Sequence, residues 1–495
     1  MDKVIISIDQ GTTSSRTLVF SSSGETLHVA QKEFPQHYPK DGWVEHDPED
    51  IWNSTLSTLK SAYEFVKENS YEITGLGITN QRETTVIWDR RTGKPIYNAI
   101  VWQDRRTAKT CEAIKLNYSD KELSSKTGLL IDPYFSSTKI SWILDNIEGA
   151  RDKAVKGELA FGTIDTFLIW RLTNGKSHYT DATNASRTNL FNIHNQTWDE
   201  DLLKLFKVPI SVLPEVKNSA DNFGSIDISV LGETIPILSV IGDQQAAAVG
   251  QNCFGRGDIK GTYGTGCFVV LNTGDECVKS KNNLISTVCY RINGEVTYAL
   301  EGSIFIAGAA VQWLRDGIKI IRKAADVEQL CNKHNSNRGV YLVPAFTGLG
   351  APYWDPGARG ALFGITRDTG REDIARAAIE STCYQTHDLV RAMSEDGIIL
   401  NSMKVDGGMI ENQWMVQYLS DILNMPIECP SSKETTALGA AYLVGLQAGT
   451  YKSLDDIKKH MKVSKKYSPK MSSEDRRISL DGWKNAVNRV LSNYS

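Results

Sequence analysis

Apolar residues recur along the chain in two rhythms. Residues 4–8 (Val-Ile-Ile-Ser-Ile) and 16–20 (Arg-Thr-Leu-Val-Phe) are short β-favouring runs on either side of a small-residue turn at 11–15. A polar turn at 21–24 follows, and then another extended segment. Further on, residues 258–261 lead into Thr262-Tyr263-Gly264-Thr265-Gly266, and 267–271 reads as a strand closed by Asn272-Thr273-Gly274. Both passages run strand, Gly/Thr turn, strand, polar turn. They lie about 250 residues apart, a period that predicts two related halves rather than a solenoid of short units.

Between and after these passages the two rhythms alternate. Residues 50–66 have helical spacing (Ile51, Leu56, Leu59, Tyr63), 73–78 is strand-like, 140–144 opens an apolar segment and 235–241 is a buried-strand candidate. In the second half, 303–314 predicts the start of an Ala/Gly-rich helix and 371–393 a long Ala-rich one. Trp483, Val487 and Val490 predict a terminal helix that docks on the core. The alternation predicts α/β layers, a boundary near 250–257 and a cleft between the halves.

Composition narrows the picture. The chain has 495 residues, 41% hydrophobic and 23% charged, as an ordinary globular protein of two or three domains does. Lys plus Arg is 55 and Asp plus Glu 59, a formal net charge of −4, so the basic surplus of a dedicated nucleic-acid binder is missing. The apolar start is too short for a signal-peptide core, and residues 235–250, the longest apolar candidate, are broken by Asp243, Gln244 and Gln245, so no membrane span is expected. The eight cysteines show neither Cys-x-x-Cys spacing nor a His at zinc-ligand distance, which predicts buried thiols in a reducing, cytoplasmic compartment. The Lys-rich stretch 458–477 reads as solvated surface.

Candidate chemistry sits at the turns. Asp9-Gln10-Gly11-Thr12-Thr13-Ser14-Ser15-Arg16 puts an acid at a strand end, followed by a Gly turn, four hydroxyls and a cation. Backbone N–H groups in such a turn face an anion, the hydroxyls donate further bonds and the acid can hold a metal. Alone it is equally a hydroxyl-rich hairpin. The partner turn Gly261-Thr262-Tyr263-Gly264-Thr265-Gly266 adds the prospect of a polyphosphate clamped from both sides. Asp406-Gly407-Gly408, before a helix opening near Asn412, would admit a flat ligand close to the backbone. Walker, protein-kinase and Rossmann signatures are all missing. Asp243, between an apolar strand and an Ala-rich helix, is either a helix cap or a base that takes a proton from an attacking hydroxyl. Arg82 and Glu83, after a strand, are either a solvated ion pair or a fork for neighbouring hydroxyls on a small polyol.

Two longer motifs carry a resemblance. Residues 134–146, from Tyr134 through Lys139 and Trp142 to Asn146, and residues 360–380, from Gly360 through Gly364, Ile365 and Asp373 to Glu380, are similar to the two signatures of the FGGY carbohydrate kinases. The whole chain resembles the glycerol-phosphorylating members of that family. The resemblance implies an α/β fold of two duplicated actin/hexokinase/Hsp70-like (ribonuclease H-like) domains with an interdomain cleft. They would span 1–252, with the acceptor pocket and first phosphate loop, and 253–495, with the second phosphate loop and adenosine site. It implies ATP-dependent phosphorylation of glycerol to sn-glycerol 3-phosphate with Mg²⁺, in a homodimer or homotetramer.

By the same resemblance, Asp9 would place the Mg²⁺. Thr12, Thr13, Ser14 and Arg16, with Thr265, Gly308, Gln312, Gly408 and Asn412, would bind the nucleotide. Arg82, Glu83, Trp102, Tyr134, Asp243, Gln244 and Phe268 would line the glycerol pocket, with Asp243 as general base. Residues 228–234 hold no Lys or Arg where some members bind a sugar bisphosphate, so that regulation is not expected here. Two other readings remain at this point: a kinase of the same family acting on a ketose or sugar acid, and an actin-like ATP switch acting on partner proteins.

Overall fold

The computed structural model describes residues 2–355, 357–460 and 463–492. The first half is built on strands β1 (Lys3–Gln10), β2 (Ser14–Ser21), β3 (Thr26–Glu33), β4 (Glu72–Asn80) and β5 (Ile237–Gly242), in the spatial order β5-β4-β1-β2-β3. The first three pair antiparallel, and β4 and β5 join in parallel. The second half has β6 (Ile259–Tyr263), β7 (Cys267–Gly274), β8 (Ile285–Ile292), β9 (Glu295–Ile304), β10 (Met403–Asp406), β11 (Ile427–Pro430) and β12 (Val463–Tyr467). Their order is β8-β9-β7-β6-β10-β11-β12. The stretch β9-β7-β6-β10-β11 repeats the first sheet in both connectivity and strand direction, with β8 and β12 added at the edges. The repeat read from the two turns is thus a repeat of whole sheets.

The apolar run in β1 is nearly continuous because both of its faces are covered. Val4, Ile6 and Ile8 pack with the helix Pro48–Glu68, while Ile5 packs with the helix Thr435–Gln447. Pro48–Glu68 starts where Asp47 accepts the Glu49 N–H at 2.8 Å and Pro48 takes the first helical position, and it buries Ile51, Thr55, Leu59, Ala62 and Val66. The helix Asp243–Gly250 leaves β5 of the first half and packs against β6, β7 and β8 of the second. Thr435–Gln447, from the second half, lies across β1, β4 and β5 of the first. The two helices cross between the sheets at glycines. A Cβ on Gly250 would meet the Thr435 carbonyl oxygen at 1.9 Å, and one on Gly439 would meet the Ala246 carbonyl oxygen at 1.9 Å.

Most expected elements are present, including the long helix Arg371–Glu395 and the terminal helix Ser473–Asn488. In the latter Trp483 is buried, stacks on Tyr384 at 5.3 Å and donates to Asp388. Two boundaries need correction. Ser303 and Ile304 end strand β9, and the helix expected from 303 begins only at Gly308 (Gly308–Gln312), because the β9 ladder continues through Ser303 opposite Phe268. Ser14 and Ser15, expected in the turn, already pair within β2, which tightens the first turn to Gly11-Thr12-Thr13. All eight cysteines are unpaired, seven of them buried. No helix among the described residues is long and apolar enough to cross a membrane.

The glycine crossing yields a prediction. Gly439→Ala places a methyl group against backbone that cannot retreat, so it should destabilise the protein by about 1–3 kcal/mol, the usual cost of overpacking a tight core. Urea unfolding followed by tryptophan fluorescence checks this, and a midpoint equal to that of the wild type would rule out the contact.

Candidate active site

The first Gly/Thr turn joins β1 to β2, and its Gly11 N–H donates to the Ser14 carbonyl at 2.9 Å. Strand pairing sets Asp9 opposite Arg16. The Arg16 guanidinium lies 3.7 Å from Asp9 and makes a close ion pair with Glu434 from the second half. Burial pushes the Asp9 carboxyl up to about 6; Arg16 opposes that, while Asp243 and Glu434 add to it. Thr12 accepts the indole N–H of Trp102 at 3.0 Å, and Ser14 accepts from Gln31 at 3.2 Å. Thr13 leaves its side chain free and gives its carbonyl to the Phe34 N–H.

The second turn, Gly264-Thr265-Gly266, joins β6 to β7. Its carbonyls accept the first N–H groups at the entry of the helix Gly308–Gln312: Gly308 N–H donates to Gly264, and those of Ala307 and Ala309 to Thr265, all at 3.0 Å. Turn and helix entry therefore form one rigid unit, while Gln312 is exposed. Gly407, after β10, has φ of 94° and sits so close to Tyr263 that a Cβ would meet its carbonyl oxygen at 2.3 Å. At Gly408 a Cβ would meet nothing within 4 Å, so an open recess begins there. Asn412 accepts the Met415 N–H at 3.0 Å and caps the helix Gln413–Leu423. The helix expected near Asn412 is preceded by a 3₁₀ turn over Gly408–Glu411.

On the other side of Asp9, Arg82 and Glu83 follow the end of β4 at Asn80. They are neither solvated nor paired with each other, as the simplest sequence reading had it. Arg82 donates Nη1 to Glu301 at 2.5 Å and Nη2 to its other oxygen at 3.2 Å, while Nε lies 3.2 Å from Asp243. Glu83 accepts from Arg187 Nε at 2.6 Å, and Arg187 also reaches Glu301 at 3.0 Å. Burial alone would raise Glu301, but Arg187 and Arg82 outweigh it and hold the carboxyl down to about 2. At Glu83 burial prevails over the same two cations, and its pKa is raised. Glu83 also has φ of 61°, a strained conformation for this residue type, kept in place by hydroxyls of Ser136 and Thr85 on its carbonyl.

Asp243 is the first residue of its helix, not the cap, a position occupied by Gly242. Its Oδ1 takes the Gln244 N–H at 2.7 Å and faces Arg82, and 30% of its side chain is exposed. Three rings adjoin one another here. Trp102 meets Tyr134 at 5.7 Å and Phe268, from the second half, at 6.4 Å, both edge to face. Lys139, in the first signature, is buried and donates to the carbonyls of Tyr134 and Phe135, so it acts as a strut for the turn that carries Tyr134. Gln244 accepts from the buried Lys260 at 2.5 Å.

Direct contacts join several of the expected residues: Arg16 lies against Asp9, Trp102 against Thr12, Tyr134 and Phe268, and Arg82 against Asp243. Three participants escaped the sequence reading: Arg187, Glu301 and Lys260. No motif surrounds the first two. Lys260 did leave a trace, as a charged residue inside an apolar strand. A groove of about 900 Å³ lined by Arg90, Lys94, Trp170 and Arg171 opens elsewhere and includes none of these residues.

Among the described residues, no cluster of three or more His, Cys, Asp or Glu side chains is arranged to hold a metal by itself. A partly buried carboxylate such as Asp9 suits an ion that keeps most of its waters and takes its other ligands from a phosphate, as Mg²⁺ does.

Known proteins share this fold. The N-terminal domain of the FGGY family of carbohydrate kinases matches residues 4–250, and the C-terminal domain of the same family matches 259–448. A glycerol kinase of Rhodospirillum centenum is 57% identical over 488 residues, covering 99% of this chain and 98% of its own. Glycerol kinase 1 of Pseudomonas aeruginosa is 56% identical over 492 residues, covering 99% of this chain and all of its own. Among solved structures, Plasmodium falciparum glycerol kinase with ADP superposes with a TM-score of 0.94 at 39% identity, over 99% of this chain and 98% of that one. A gluconate kinase from Lactobacillus acidophilus shares the fold, with a TM-score of 0.89 at 21% identity. With two family domains in series, a shared fold and close relatives along its full length, the chain belongs to the FGGY family of carbohydrate kinases.

Proposed function

We propose that this enzyme transfers the γ-phosphoryl group of ATP to glycerol, giving sn-glycerol 3-phosphate and ADP. The observation that carries this reading is the full-length identity of 57% to glycerol kinases, far above the 21% shared with the gluconate kinase. The acceptor side of the cleft agrees with it. Three aromatic rings suit the carbon edge of a small triol, and Glu83, with one oxygen committed to Arg187, keeps the other for a hydroxyl.

Asp243 acts as general base. Its Oδ1 is taken by the Gln244 N–H and Arg82, which leaves Oδ2 for the proton of the attacking hydroxyl. Oxygen then attacks the γ-phosphorus in line as the bond to the β-phosphate oxygen breaks, a reaction that depends mainly on positioning and charge neutralisation. Thr12, Thr13, Ser14 and Arg16 from one side, and Thr265 and the Gly308 helix entry from the other, hold the phosphates. The recess at Gly408, with Gln312 and Asn412, takes the adenosine. Asp9 would hold Mg²⁺, which neutralises phosphate charge when bound. The Trp102–Thr12 hydrogen bond links acceptor pocket to phosphate turn, so both adjust together on closure.

The functional units are residues 1–252 and 253–495, in keeping with the matches at 4–250 and 259–448. We further propose a cytoplasmic enzyme, supported by eight unpaired cysteines, that works as a homodimer or homotetramer as the family resemblance implies.

ADP release with Mg-ATP and glycerol, xylulose, gluconate or no acceptor tests the reading: turnover should require glycerol, and turnover with a sugar or sugar acid alone would discard the triol pocket. Asp243→Asn should lower kcat by about 10²–10⁴ with nucleotide affinity nearly unchanged, the usual worth of a positioned base; a loss under about tenfold would remove Asp243 from that role. The double glycine separates structure from binding. Gly408→Val should raise the KM for ATP while the protein unfolds at the wild-type temperature, whereas Gly407→Ala should lower the unfolding temperature; equal stability losses for both would remove Gly408 from the nucleotide site.

A further inference from the structure

Glu301 is the one member of the buried charge cluster that comes from the second half, on β9. Its two oxygens span both guanidiniums: Oε2 accepts Arg82 Nη1 at 2.5 Å, and Oε1 accepts Arg82 Nη2 at 3.2 Å and Arg187 Nη2 at 3.0 Å. The side chains of Glu301, Arg82, Arg187 and Glu83 are each no more than 2% exposed, so none of these charges can turn to water for a replacement partner. Arg82 has a second carboxylate in reach. Its Nε already lies 3.2 Å from Asp243, and the bidentate grip of Glu301, with Gln245 Oε1 accepting from Nη1 at 3.2 Å, keeps the remaining N–H groups turned away from that oxygen pair.

A guanidinium released inside a dry site seeks the nearest carboxylate and prefers to take both of its oxygens. Freed from Glu301, Arg82 would close onto Asp243 and occupy the oxygen that the acceptor proton needs. We infer that Glu301 is a positioning residue for phosphoryl transfer: by clamping Arg82 it keeps Asp243 open to the acceptor, and because it stands on the second half it makes that opening depend on how the two halves meet. The inference rests on the reading of Asp243 as the base for glycerol. It also gives the cluster a role beyond mutual neutralisation, since Arg187 and Glu83 alone would balance each other.

The test is a double-mutant cycle on the full-length enzyme with Glu301→Gln, Arg82→Met and the pair, reading kcat, KM for glycerol, KM for ATP and the unfolding temperature. Glu301→Gln should lower kcat/KM for glycerol by about 10- to 150-fold, the span of a hydrogen bond to a charged group, while KM for ATP stays within about twofold. With Arg82 gone, Glu301 has no guanidinium to hold off the base, so adding Glu301→Gln to Arg82→Met should cost less than about threefold more. Losses that multiply, a rise in KM for ATP as large as that for glycerol, or a Glu301→Gln enzyme as active as the wild type would each overturn the proposal and leave Glu301 as a structural ion. Should Glu301→Gln fail to fold, Glu301→Asp enters the same cycle. It keeps the charge but withdraws it by one methylene, and the same loss selective for glycerol is expected. A wild type that does not turn over glycerol overturns the functional reading and this inference together, whereas an active wild type with an equally active variant overturns this inference alone.

Discussion

Two arginines and three carboxylates meet where the halves of this protein face each other, and four of those five side chains are shut away from water. Charges so deeply buried are stable only when each finds a partner with good geometry, because the desolvation cost of an orphan exceeds what the surrounding packing can offset. The end of β4, the segment that carries Arg187 and strand β9 are therefore constrained jointly. Displacing any one of them strands a guanidinium or a carboxylate. Such a cluster is a poor source of net stability and a good source of register. Here the register in question is that of the first half against the second.

The same interface is closed a second time by backbone. Helix Asp243–Gly250 begins at the proposed base and ends at the glycine that admits Thr435, and helix Thr435–Gln447 crosses it and covers the first sheet. Each half thus lends a helix to the middle layer. The position of Asp243 is set at one end by the β5 strand and at the other by a contact too close for any side chain. A rigid seat of this kind suits a group that must meet a reacting hydroxyl within a few tenths of an ångström.

Around that seat the chemistry is divided. In the proposed reaction the first half supplies the acceptor pocket and one phosphate turn, and the second supplies the other turn, the recess at Gly408 and the ring of Phe268. Phe268 and Glu301 stand on adjacent strands, one against Trp102 and one behind Arg82. In the proposed reaction, a pocket whose wall and rear support both come from the opposite domain is complete only when the domains are together, and water is then kept from competing as the acceptor.

Much of this was legible in the amino-acid sequence. The period-two and helical rhythms located many of the long elements but not strands β8 and β9 or the helix Thr435–Gln447, and the paired Gly/Thr turns disclosed the duplication, because a turn that needs small residues leaves the same trace wherever it recurs. The acids and hydroxyls at strand ends marked Asp9, Thr12 and Asp243 for the same local reason. What stayed hidden were the partners of the buried charges. Arg82 and Glu83 looked like a pair because they are neighbours, yet each chose a partner more than a hundred positions away, Glu301 and Arg187, neither of which sits in any motif. The end of β9 was mistaken for helix because its ladder partner lies on another strand. Local rhythm is a property of the chain and can be read from it. The partner of a buried charge is decided by which surfaces the fold presses together, and only the tertiary structure makes that choice.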